Sequence, residues 1–117
     1  MIMDRYYTGT IVAESLIDKS VLDGLKVIKS EVSSNLGWHL FTAEVSTEEI
    51  QNLSQNIESN KWYMHFWKDR DVIAVFKDKT FEFNYDDKAS WKPVIEYGLS
   101  IGIPQEQLDF PIEKLRV

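Results

Sequence analysis

Two histidines, His39 and His65, are the side chains in this sequence tuned to move a proton near neutral pH. They fall on different predicted strands, and neither belongs to a His-Glu-x-x-His pattern. A carboxylate such as Glu44 or Asp86 could complete a site only if those strands are neighbours. The plainer role for each ring is packing on aromatic neighbours with one nitrogen bonded, so no metal site is expected. His39 and His65 remain the candidate acid–base groups.

Carboxylates come in pairs: Glu48-Glu49, Asp69/Asp71 and Asp86-Asp87. Acid–base work needs a carboxylate desolvated enough to shift its pKa, and none of these has an apolar context. Glu48-Glu49 suit the positive end of a helix. The other two pairs read as turn and strand-exit residues. Phosphate chemistry is disfavoured as well. Gly9, Gly24, Gly37, Gly98 and Gly102 show no Walker or dinucleotide spacing, and no serine sits in a Gly-x-Ser-x-Gly elbow. With no cysteine, disulfides, thiolate metal sites and a cysteine nucleophile are excluded together. No cofactor is expected.

Rings interleaved with lysines, at Lys61-Trp62-Tyr63, Trp67-Lys68 and Trp91-Lys92, match the stacking platforms of single-strand binders. Asp69, Asp71, Asp78, Asp86 and Asp87 cancel most of that field. A net charge of −6 and a pI near 4.8 also argue against a phosphate-neutralising surface. Nucleic-acid binding is therefore a minor alternative.

The elements that position these residues follow from periodicity. Tyr6–Ala13 reads as a strand. Leu16–Leu25 reads as a short helix capped by Asp18 or Ser20 and weakened by Gly24. Lys26–Ser33 fits either strand or helix, with a hairpin favoured: a turn over Ser33–Gly37 leads into the strand Trp38–Val45. Ser46 and Glu49 form a capping box, followed by the stripe Ile50, Leu53 and Ile57 in a helix ending at Asn60. Trp62–Lys68, Val72–Lys77 and Thr80–Tyr85 read as an antiparallel meander with turns at Asp69-Arg70-Asp71 and Asp78-Lys79. A two-residue turn at Asp69-Arg70 sets Trp67 opposite Val72 and His65 opposite Ala74. A three-residue turn moves His65 to the other face. Trp62, Met64 and Phe66 alternate with Tyr63, His65 and Trp67, so this strand wants cover on both faces. Ser90 is expected to cap a last helix with the stripe Trp91, Ile95 and Leu99, closed by a left-handed Gly102. A tail follows through Leu108, Phe110 and Ile112.

The whole is expected to be one domain over 1–117, of α+β class: a mainly antiparallel sheet with two to three helices packed on one face, a ferredoxin-like or related sandwich. At 117 residues, 44% apolar and 27% charged, the composition is that of an ordinary globular chain. Its longest apolar run, Val72–Phe76, is far short of a membrane span. The N-terminus lacks the basic and apolar regions of a secretory signal, which makes a cytoplasmic location the expectation.

The block from Trp91 to Phe110, with Trp38-His39-Leu40-Phe41-Thr42 and Trp62–Trp67, resembles small prokaryotic protein families of no assigned activity. That resemblance implies no functional residue. The residues themselves point first to a binding or assembly module acting through the aromatic strand, as a homodimer or with another protein. The rival is a metal-independent enzyme or small-molecule binder, with a pocket walled by Trp38, Trp62, Tyr63, Trp67 and Trp91 and served by His39 or His65.

Overall fold

Tyr6–Val12 (β1), rich in β-branched and aromatic residues, forms the spine of an antiparallel sheet in the computed structural model, which describes residues 6–33, 37–59 and 62–108. The other strands are Lys26–Val32 (β2), His39–Ser46 (β3), Met64–Lys68 (β4), Asp71–Phe76 (β5) and Lys79–Asn84 (β6). Among the described residues they make one six-stranded sheet in the order β2-β3-β1-β4-β5-β6, with every neighbouring pair antiparallel. With helices Thr47–Gln55 (α1) and Lys92–Ser100 (α2), the class is α+β. The ambiguous segment is a strand, and β2 and β3 form the hairpin. Expected features at Ser34–Leu36, Asn60, Lys61, Phe110 and Ile112 lie outside the described residues.

The helices do not share one face. Residues alternate along β5, so Ile73 and Val75 point to one side and Val72, Ala74 and Phe76 to the other. On the first side α1 lays Ile50 and Leu53, and the segment after it Ile57, against Tyr7, Ile11, Val45 and Phe66. On the second, Trp91, Val94, Ile103 and Leu108 cover Val72, Phe76 and Phe83. A strand apolar on both sides needs a layer on each, and the run Val72–Phe76 is such a strand. The rings of β4 have the same cause: β4 lies inside the sheet, between β1 and β5.

Local corrections have local reasons. α1 carries the expected capping box at Ser46 and Glu49, but it ends at Gln55. There Asn56 leaves the helix to exchange bonds with Asp18, accepting from its N–H at 3.0 Å and donating to its C=O at 2.8 Å. The second hairpin turns at Lys77-Asp78, one residue early, because Phe76 pairs with Lys79. Asp78 takes φ 60° there and donates its N–H to the Ser54 carbonyl. Ser90 does not cap α2. Its hydroxyl bonds Asn84 and Asp87, and α2 starts after a short 3-10 turn over Lys88–Trp91.

The buried stripe runs from Trp91 of the 3-10 turn to Val94 and Gly98 of α2, leaving Leu99 45% exposed. Leu108 returns onto Gly98 so closely that a Cβ there would lie 2.6 Å from it. Gly102 closes the helix as expected: at φ 95° it donates to Leu99, and Ile103 donates to Gly98. Among the described residues, no helix is long and apolar enough to cross a membrane.

Candidate functional site

Where β1 ends, the chain turns sharply. Ser15 is buried, its hydroxyl donating to the Val12 carbonyl at 2.6 Å, and this 3-10 turn carries Glu14 toward the start of β3. Glu14 there uses both carboxylate oxygens on one residue. Oε1 accepts the His39 backbone N–H at 2.9 Å, and Oε2 lies 2.7 Å from His39 Nδ1. A carboxylate acceptor at Nδ1 holds the imidazole proton there, so the neutral ring presents Nε2 as its basic nitrogen. These hydrogen bonds, led by that to the His39 ring, hold the Glu14 carboxyl below its ordinary value.

Beside this pair is a cleft of about 600 Å³. A second 3-10 turn, Lys19–Gly24, forms one wall, and Asp18 fixes its start by accepting from the Ser20 N–H and hydroxyl. That wall offers Lys19, Leu22 and Asp23; β2 and β3 supply Val27, Ser30 and Phe41 opposite. The cleft thus has Leu22, Val27 and Phe41 as apolar lining, Asp23 and Ser30 among them, and a polar end where His39, Glu14 and Lys19 stand. Such a distribution suits a small molecule with an apolar body and one polar end.

The other residues singled out in the sequence are dispersed. His65 and His39 belong to strands separated by β1, and register sets them on opposite faces. The turn is the two-residue one: His65 opposes Ala74, and its ring lies 5.4 Å from that of Trp67. Tyr63 stacks on Phe76 at 5.6 Å. Trp38 and Trp62 meet edge to face at 5.0 Å, and the Trp62 indole N–H donates to Glu58. Trp91 is buried at the far end, donating to Asn84 and Tyr85 under the Lys88 ammonium. These rings do not line one pocket. Glu44 pairs with Lys26, and Asp86 makes a two-pronged pair with Arg70 that lowers its pKa. Among the described residues, no three His, Asp or Glu groups converge as metal ligands.

Compared with known proteins, the chain matches no family model, no curated protein and no solved structure. The cleft therefore stands on its own chemistry. Glu14, its central carboxylate, is a lone acid between Ala13 and Ser15, so the pairing of acids that marks candidates in the sequence passes over it.

The Glu14–His39 contact gives a pH signature. A carboxyl with a depressed folded-state pKa adds stability that is complete above its unfolded pKa, and that fades as pH falls through the folded value. Urea midpoints between pH 6 and about pH 2 are expected to fall less steeply for Glu14→Gln than for wild type. Parallel curves would mean the pair is no tighter folded than unfolded.

Proposed function

We propose that this protein is a small-molecule binding module whose site is the cleft between the Lys19–Gly24 turn and the β2–β3 hairpin. One observation carries the reading: a histidine oriented by a carboxylate through two hydrogen bonds, beside a concavity whose apolar lining is Ala13, Leu22, Val27 and Phe41. The ligand class is a compact organic molecule with a ring or branched chain, and a polar group bonded by His39 Nε2 and Lys19. An oriented imidazole can also serve as a general base, so the site keeps the chemistry of the rival reading from sequence. Compared with the first expectation, binding moves from the aromatic strand to the cleft, because β4 is interior and its rings are spread over two packed layers.

The test is amide NMR with a panel of phenyl and indole fragments bearing carboxylate, hydroxyl or amine ends. Shifts are expected to concentrate at Glu14, Leu22, Val27, His39 and Phe41, and His39→Ala is expected to weaken binding about tenfold, the worth of one hydrogen bond to a charged or polar end. Fragments that shift only residues outside the cleft, or bind His39→Ala equally well, would refute the assignment.

A further inference from the structure

The two edges of the sheet are treated differently. At β6, the Ser90 hydroxyl and Trp91 indole satisfy the Asn84 N–H and C=O. At β2, all seven residues are exposed, including Ile28 at 50% and Val32 at 59%. Among the described residues no strand pairs with that outer edge; an unpaired edge is a template for another strand, and the residue order along β2 says which one.

Backbone direction fixes the possible registers. Ser33 donates its N–H to the Trp38 carbonyl at 2.8 Å. In an antiparallel ladder successive residues point alternately to either side, so Glu31 and Lys29 also point at β3, while Ser30 and Val32 point outward. A second copy of β2 must oppose outward residues to outward residues. Within Lys29–Glu31 this allows three two-fold centres. Centring on Lys29 sets lysine against lysine, and centring on Glu31 sets glutamate against glutamate, both repulsive.

Centring on Ser30 does the reverse. Lys29 of each copy faces Glu31 of the other, giving two cross-strand ion pairs, and Val32 comes beside the exposed Ile28 of the bulge where the regular ladder stops. Lys29 and Glu31 are on the same face of the strand and already lie 3.6 Å apart within one chain, with 61% and 54% of their side chains exposed. The sequence apolar–cation–Ser–anion–apolar is complementary to itself when reversed.

We infer that β2 pairs with β2 of a second copy of this chain, antiparallel and centred on Ser30, joining two sheets into one of twelve strands. The bulge between Val27 and Lys29 limits the new ladder to the end of the strand beyond it, so the dimer is weak and concentration-dependent. The two-fold axis is perpendicular to the sheet and closes the edge in a pair rather than an open fibre. It also leaves both His39 clefts on the same face, flanking the junction, since Val27 and Ser30 line each. The pairing does not depend on what the cleft binds.

Sedimentation of the full chain from micromolar to millimolar concentration tests this, with two exposed charge reversals, Lys29→Glu and Glu31→Lys. Wild type is expected to dimerise. Each reversal places two like-charge pairs across the junction and is expected to weaken the dimer at least about tenfold. Mixing the two variants is expected to restore it, because in the heterodimer all four charges are again opposed by opposites. A wild-type monomer at millimolar concentration overturns the inference. So does a dimer indifferent to either reversal, or a mixture no tighter than its components; both would put any association on another surface.

Discussion

Replacing Gly9 with alanine is expected to cost about 3 kcal/mol, the upper end of ordinary overpacking. Gly9 lies in the middle of β1, opposite Phe66 of β4. A Cβ at that point would be 2.3 Å from the His65 carbonyl oxygen and 2.4 Å from Phe66 Cδ1. The Phe66 ring is fully buried and has nowhere to retreat without disturbing its neighbours Met64 and Ile73. The carbonyl belongs to the backbone of β4, so the two central strands must separate. Shortening the ring in Gly9→Ala/Phe66→Leu is therefore not expected to rescue stability. Gly24 supplies the contrast. A Cβ there meets nothing within 4 Å, and Gly24→Ala is expected to be neutral or slightly stabilising through the unfolded chain. Urea unfolding reads both; a Gly9→Ala loss below about 1 kcal/mol would show that β1 and β4 approach less closely than described.

Gly9 also marks what the sequence could and could not disclose. Alternation in Phe81–Tyr85 and β-branched content in Tyr6–Val12 are local signals, and they located strands. The capping box at Ser46 needed only Glu49 three residues on, and α1 begins there. Strand order is not local. That β1 inserts between β3 and β4 separates His39 from His65 and brings Gly9 against Phe66, and no periodicity encodes it. The Glu14–His39 pair joins residues 25 apart in the chain, and it depends on the turn after β1 falling beside the first residue of β3. The unbroken apolar run Val72–Phe76 was a readable sign that both faces of β5 are covered. A single helical layer would leave one of those faces bare. Gly98 is the gap that admits Leu108 and so selects the buried stripe, a contact between distant residues that helical periodicity alone does not encode.

The two-layer arrangement gives Phe76 a particular position, and Phe76→Ala is expected to cost about 3–5 kcal/mol, the range for deleting a fully buried phenyl ring. Its ring stacks on Tyr63 at 5.6 Å and meets Phe81 and Tyr97 edge-on at 5.8 and 5.0 Å. Tyr97 is on α2, so this cluster is a principal tie between that helix and the sheet. The Phe76 carbonyl serves the other layer, accepting the buried Ser54 hydroxyl of α1 at 2.6 Å. Alanine removes the ring and keeps the carbonyl. The damage should then be asymmetric: amide exchange in α2 is expected to accelerate more than in α1, whose capping box and Ser54 bond are untouched. Ser54→Ala is the mirror experiment, removing the bond to α1 while leaving the rings, and it should loosen α1 first. Equal loss of protection in both helices for Phe76→Ala would mean that the layers on opposite faces open only together, as one cooperative unit with β5 at its centre.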